Sequence, residues 1–249
     1  MDKDSILLKK RFIELANRSY NENRFTFTEF LSEADLSCFY EALPEIGSIP
    51  YTLSDDTDQE RVMIRFGSED ELGYIEDFPI EILLIKPNAE KFADKLTHRD
   101  FLGALMNLGI ERDVLGDIKV FEKHAYVYSH EKIAEYIIKN LSFVKHTAVK
   151  ILKVESIPEI SEKALVTKLV QVASLRIDAV VSRAYNLSRK DSIECFMQKK
   201  IFLNGRLMEN SSKLIKEGDK ITLRGKGRFL VSEVLGTSKS GKINLKLSF

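Results

Sequence analysis

Cysteine occurs only twice in this 249-residue chain, at Cys38 and Cys195, and no C-x-x-C pair exists. That excludes a disulfide framework and leaves no thiol motif for redox or zinc chemistry. Beside Phe39 and Phe196, the two thiols read as small core residues. The four histidines, His98, His124, His130 and His146, show neither H-x-x-x-H nor H-x-E spacing, so no metal site and no cofactor are expected. No apolar run approaches the roughly 20 residues that span a bilayer. The opening Met-Asp-Lys-Asp leads into a mixed helical stretch without an apolar signal core, so a cytoplasmic protein with no membrane contact is expected.

What is present is charge, unevenly distributed. Hydrophobic residues make up 44% of the chain, enough for sizeable cores, and charged residues 31%. The formal net charge of zero hides a division. Residues 1–160 hold 20 Lys+Arg against 30 Asp+Glu, whereas residues 161–249 hold 18 against 8. A basic module attached to an acidic body points to a polyanion as partner.

Hydrophobic spacing organises the chain into an α+β protein of three segments. Residues 1–76 form an N-terminal helical and strand segment. Ile6, Leu7, Leu8, Phe12, Ile13, Leu15 and Ala16 recur at helical spacing. Ser32-Glu-Ala-Asp35 reads as a capping box opening a second helix that Pro44 ends. Strands are expected near Ile49–Leu53 and Val62–Phe66, separated by an acidic loop at Asp55–Glu60. That loop lacks the glycine and terminal glutamate of a calcium site. Residues 77–156 read as strand, helix, strand, strand, helix, strand: Ile80–Ile85, a helix capped by Thr97-His-Arg-Asp100 and stopping at Gly109, Ile118–Phe121, Ala125–Tyr128, Glu131–Leu141, and a last strand through Val149, Ile151 and Val154. This βαββαβ order is that of ferredoxin-like domains. RNA-recognition domains share it, but their basic-aromatic strand signature is not visible here. Ser156–Glu162 reads as a linker.

Residues 163–249 carry the densest signals. Leu175, Ile177, Val180 and Val181 share one helix face, leaving Arg176 and Arg183 elsewhere. Ser188-Arg-Lys-Asp191 reads as a capping box for a second helix, with Ile193, Phe196 and Met197 on its apolar face. The strand Ile201–Leu203 meets Asn204-Gly205, a strong hairpin signal. Lys216-Glu-Gly-Asp219 forms a second turn before the strand with Ile221 and Leu223. Arg189 and Lys190 stand in a helix first turn, where the dipole disfavours cations; phosphate contact resolves that conflict.

Leu175-Arg-Ile-Asp178, Leu187-Ser-Arg-Lys190, Lys199-Lys-Ile-Phe-Leu-Asn-Gly-Arg206 and Lys216-Glu-Gly-Asp-Lys-Ile221 resemble the alpha-L RNA-binding domain, named for small-subunit ribosomal protein four. Lys200 departs from a common glycine of that domain, which adds charge. The resemblance implies an RNA surface of Arg176, Arg183, Ser188, Arg189, Lys190, Lys199, Lys200, Asn204, Gly205 and Arg206. The segment from Leu96 to Ile118, taken with this module, is similar to the YlmH family. That resemblance implies binding to the large ribosomal subunit and peptidyl-tRNA in rescue of stalled nascent chains; from the residues, a non-enzymatic, monomeric protein that binds structured ribosomal or transfer RNA is expected. His98, Arg99 and Arg112 are then candidate ribosome or RNA contacts, and no small-molecule substrate is expected.

Three signals point elsewhere. Gly236-Thr-Ser-Lys-Ser-Gly-Lys242 has P-loop spacing, but Ile243 stands where Ser or Thr should bind magnesium, and the alternation of Ile243, Leu245 and Leu247 reads as a strand. The stretch is a hairpin tip whose Lys239 and Lys242 face phosphate. His98, Arg99 and Asp100 suggest an acid–base group, yet Asp100 suits a cap. Leu175–Asp178 resembles the catalytic loop of pseudouridine synthases, although it opens a helix here. An RNA-modifying enzyme whose alpha-L domain delivers substrate to the central domain is the alternative reading.

Overall fold

A computed structural model gives the fold over residues 3–54, 59–89, 94–158, 166–238 and 241–249. Most of the acidic loop at Asp55–Glu60, the end of the Ser156–Glu162 linker and Lys239 lie outside these described residues. The chain divides into two compact units, Met1–Asp35 with Glu41–Pro158, and Leu36–Tyr40 with Glu159–Phe249. Among the described residues no helix is long and apolar enough to cross a membrane.

In the first unit, α1 (Lys3–Glu22) buries Phe12, Leu15 and Ala16 at helical spacing against a small sheet of β1 (Thr26–Phe27), β3 (Ile64–Phe66) and β2 (Tyr51–Leu53), in the order β1-β3-β2. Side-chain hydroxyls fasten the helix to the sheet, since Thr26 Oγ1 donates to Leu15 O at 2.8 Å and Ser19 Oγ to Phe66 O at 3.1 Å. The capping box opens α2 (Glu33–Ile46) as expected: Ser32 N–H donates to the Asp35 carboxylate, and Asp35 N–H to Ser32 Oγ. Pro44 does not end α2. The helix runs two residues further and stops at Gly47, φ +73°, whose N–H donates to Leu43 O. Within the last turn a proline forfeits only its own N–H bond, so the helix tolerates it.

The remainder of this unit is the short α3 (Glu69–Leu72), β4 (Ile80–Pro87), α4 (His98–Met106), β5 (Leu115–Val120), β6 (Ala125–His130), α5 (Glu131–Asn140), the short β7 (Phe143–Val144) and β8 (Thr147–Val154). The strands of its larger sheet pair antiparallel in the order β5-β6-β4-β8-β7. Strand β6 is thus inserted between β5 and β4, which α4 connects; this is a split βαβ arrangement. Alternation decides what is buried. Leu83, Ile85, Val127, Val149 and Ile151 face Phe101, Leu105, Ala134 and Ile137 in one core.

The second unit is built on a sheet of β9 (Thr167–Val172), β10 (Ile201–Leu203), β11 (Arg206–Leu207), β12 (Lys220–Leu223), β13 (Gly227–Thr237) and β14 (Ile243–Ser248), in the order β11-β10-β12-β13-β14-β9, every pair antiparallel. Helices α6 (Ile177–Ala184) and α7 (Arg189–Met197) pack on each other, and their apolar residues join the sheet in one core. The P-loop-like stretch is the tip between β13 and β14, where Ser238 N–H donates to Lys242 O. A strand, β14, follows it where a P-loop requires a helix. Strand β9 has no counterpart in the expectations from sequence. Neither Cys38 nor Cys195 forms a disulfide, and both are half-buried.

Candidate nucleic-acid interface

Local geometry fixes the basic residues of the second unit. Arg176 is the N-cap of α6, and its guanidinium grips Asp178 through Nε to Oδ1 at 3.1 Å and Nη2 to Oδ2 at 2.8 Å. Asp178 is 5% exposed and also accepts from Ala179 N–H. The Arg176 guanidinium holds its carboxyl below the usual aspartate range, with Arg189 adding a smaller pull. Asp178 is therefore a helix residue paired with a neighbouring arginine, not an exposed acid or base.

The N-terminus of α7 is capped by Ser188, whose Oγ accepts from Asp191 N–H at 3.1 Å. Arg189 and Lys190 follow in the first turn, and both are exposed. The buried stripe of α7 is Ser192 and Phe196; Ser192 Oγ donates to Asp178 O at 2.9 Å, tying α7 to the first turn of α6. Met197, expected on the apolar face, is 78% exposed, because this short helix buries one i, i+4 pair and Met197 turns off it. Arg183 is exposed on the last turn of α6.

After α7 the chain passes through Lys199 in the left-handed region, φ +52°. Lys199 is exposed and pairs with Glu209 at 3.3 Å; Lys200 is half-buried. The hairpin turn is formed as the sequence suggests. Asn204 and Gly205 have φ of +51° and +75°, and Leu203 pairs with Arg206 across them. Two successive positive φ values are those of a type I′ turn. Arg206 is exposed at its far side. The Asn204 amide joins this turn to the next one. Its Nδ2 donates to Asp219 Oδ1 at 2.9 Å, and its Oδ1 accepts from Lys220 N–H at 2.8 Å. Asp219, 5% exposed, also accepts from Lys216 N–H through Oδ2.

A direct ion pair thus joins Arg176 to Asp178, with Arg189 acting on the same carboxylate through its charge, whereas Lys199 is tied to Glu209 and Asn204 to the second turn. Other cations belong to the same unit. Lys213, Lys216, Arg224 and Lys226 are exposed around the turns flanking β12, and the Arg224 guanidinium lies 5.4 Å from the centre of the Phe202 ring. For Arg224 and Lys226 the signal was the run Arg224-Gly-Lys-Gly-Arg228. Lys168 has the opposite character. Its Nζ donates to Arg183 O and Ala184 O at 3.2 and 2.7 Å, capping the negative end of α6.

In the first unit, His98 and Arg99 are exposed at the start of α4. Asp100 completes the cap: its carboxylate accepts from Thr97 N–H at 2.8 Å and Thr97 Oγ1 at 2.7 Å and pairs with Lys145 at 3.0 Å. The Thr97 bonds, then Lys145, bring it down to about 2, so it stays ionised and acceptor-only at neutral pH. Arg112 points inward. Its Nη1 donates to Leu115 O and to Gly116 O, and burial, with Arg61 close by, lowers the guanidinium to about 10. Arg61 reaches the same segment, Nε to Leu115 O at 3.1 Å and Nη2 to Phe30 O at 2.6 Å. The two arginines brace the start of β5 against the N-terminal segment of the same unit. Among the described residues no cluster of three or more His, Cys, Asp or Glu side chains could hold a metal ion.

Parts of the chain are similar to known proteins. Residues 74–157 match the family described as "Putative RNA-binding domain in YlmH". Residues 167–225 match "Mitochondrial transcription rescue factor 1, C-terminal domain". A relative from Bacillus subtilis (strain 168), "Ribosome-associated protein quality control protein P2", is 28% identical over 168 residues, 67% of this chain. The match spans 64% of that protein, less than two thirds of its length. A solved structure, "Cell division protein ylmH from Streptococcus pneumoniae", is 19% identical with a TM-score of 0.49, covering 62% of this chain and 93% of that one. The middle of the first unit thus matches the RNA-binding domain described for YlmH, and two thirds of the sequence is similar to a ribosome-associated quality control protein of Bacillus subtilis.

Proposed function

We propose that this protein is a non-enzymatic RNA-binding adaptor that acts on ribosomal RNA or tRNA at the large ribosomal subunit, in rescue of stalled nascent chains. One observation carries the reading: the Ser188-capped start of α7 presents Arg189 and Lys190 to solvent. A helix N-terminus favours anions through its free N–H groups and its dipole, so two cations there lower helix stability. A phosphate bound at that terminus gains both the N–H groups and the cations. The excess of basic residues in 161–249 extends the attraction beyond this turn. The name of the Bacillus relative supports the ribosome as the place of action. The alpha-L resemblance of the second unit supports structured RNA as the ligand, and the split βαβ arrangement supports a ferredoxin-like central domain. Asp100, held low and engaged as a cap, is poorly suited to proton transfer, which supports the non-enzymatic reading.

The test is crosslinking of the protein to RNA in cells, followed by sequencing, beside co-sedimentation with ribosomal subunits. Ribosomal or transfer RNA should dominate the crosslinks, and Arg189→Ala with Lys190→Ala should reduce both signals. Undiminished co-sedimentation of a folded double variant would overturn the reading.

A further inference from the structure

Helices α4 and α5 cover one face of the central sheet; the other face has a composition unusual for a face turned from the core. Cross-strand pairing sets its rows. Lys86 stands opposite Lys150, and beyond Lys86 the row continues through His124 and Phe121, where Phe121 N–H donates to His124 O at the β5–β6 turn. The next row is Lys119, Tyr126, Leu84 and Leu152. The rings are ordered. Phe121 and His124 stack at 5.1 Å with 19° between their planes, and Tyr126 meets both edge-on at 5.4 and 5.6 Å. Tyr126 is buried as the base of the cluster, whereas Phe121 and His124 are half-buried, Lys150 is exposed and Leu152 is 44% exposed. No carboxylate stands in either row, although the first 160 residues are acidic overall.

We infer that this face is a second nucleic-acid surface, which takes two or three unpaired nucleotides of single-stranded RNA. Flat rings continue a stack with a base, which has a π-face whatever its sequence, and Lys86, Lys119 and Lys150 border that platform with the charge that phosphates require. Duplex RNA does not fit the same chemistry, because its bases are already paired and stacked. A protein partner would find the apolar patch but would leave three lysines without counter-charge. The surface lies within residues 74–157, the span matched by the RNA-binding family, and adds to that match a face and a ligand class; it uses no basic residue of the second unit.

The test uses the full chain and a fluorescein-labelled short oligouridylate, with a 4-thiouridine version for photocrosslinking. Loss of one stacked base, about 1.4 kcal/mol, corresponds to a roughly ten-fold weaker affinity for His124→Ala. Lys86→Gln with Lys150→Gln alters surface charge alone and guards against a folding artefact. It should weaken binding and make the log–log salt slope shallower by about one. Arg189→Ala with Lys190→Ala should leave oligouridylate affinity largely intact while weakening a structured RNA hairpin, which separates this inference from the proposed function. Crosslinks within 119–128 or 150–152 support the surface. Crosslinks confined to 166–249, or an oligouridylate affinity unchanged in the lysine variant, overturn it.

Discussion

The Arg176 guanidinium and the Asp178 carboxylate are joined by two parallel hydrogen bonds of 3.1 and 2.8 Å, on a carboxylate only 5% exposed. A planar fork facing a carboxylate fixes direction as well as charge, so Arg176 is held at the entrance to α6 rather than extended toward a ligand. Asp178→Ala removes the acceptor of the pair and of Ala179 N–H, and it should destabilise the chain by about 2 kcal/mol. Because the folded carboxyl lies below its ordinary value, the bond contributes fully above the unfolded pKa of about 4 and is lost as pH falls through the lower folded value. Acid titration of the melting temperature should show that loss in the wild type and a reduced one in Asp178→Asn.

Asn204 should behave as a structural residue, although the alpha-L resemblance places it in the RNA surface. Alanine there loses the bonds to Asp219 and Lys220 and keeps a positive φ that alanine adopts poorly. Asn204→Ala should cost about 1–2 kcal/mol, read by denaturant melts. Asn204→Gly relieves the backbone but not the bonds and should recover only part. A stable Asn204→Ala variant that had lost RNA affinity would instead make the amide a direct contact.

Arg189→Ala with Lys190→Ala should weaken binding to structured RNA roughly ten-fold and reduce the log–log salt slope by about one to two. Melting temperature should hold or rise, because removing cations from a helix start favours the dipole. A markedly earlier melt would show the pair to be structural.

At α4, loss of function and loss of binding should coincide. On the proposed function, His98→Ala and Arg99→Ala should impair stalled-chain rescue only as far as they lower ribosome or RNA binding; a fully bound, folded and inactive variant would point to chemistry instead. Asp100, brought to about 2 by its Thr97 bonds and Lys145, stabilises the fold above about pH 4, and that contribution fades as pH falls toward 2. Asp100→Asn should lower the neutral-pH melting temperature slightly and flatten its acid limb.

Arg112 and Gly116 should affect stability more than binding. Arg112→Ala leaves the Leu115 and Gly116 carbonyls without that donor, at a cost of about 1–3 kcal/mol. A Cβ at Gly116 would meet Phe30 Cε1 at 2.6 Å and Tyr128 Cβ at 2.8 Å. Gly116→Ala should therefore destabilise by about 1–3 kcal/mol through overpacking. RNA affinity of the folded fraction should stay within about two-fold of wild type in both, less than 0.5 kcal/mol.

Features that depend on residues close in sequence are legible from the residues alone. Ser32–Asp35, Thr97–Asp100 and Ser188–Asp191 mark true helix starts, because a cap joins positions three apart. Asn204-Gly205 turns where its φ preferences require, and the βαββαβ order follows from alternation. The division of charge, and with it the polyanion reading of residues 161–249, is likewise a property of the sequence by itself.

Tertiary structure decided what each polar side chain does once folded. Arg112 looks like a surface cation until its carbonyl partners and the half-buried Arg61, 51 positions earlier, are placed around it. Asn204 becomes a bridge between two turns only when Asp219 comes within 2.9 Å of it. Strand β9, whose 167–172 span buries only Val170 and Val172, exists as a strand because β14 pairs with it. The stacked face of the central sheet appears when β4, β5, β6 and β8 are set side by side, since its rings and lysines come from those strands and the turn between two of them. Local sequence sets preferences over a few residues, where the interacting groups share a turn. Burial, ion pairing and cross-strand neighbours depend on positions tens of residues apart, and these are set only when the whole core condenses.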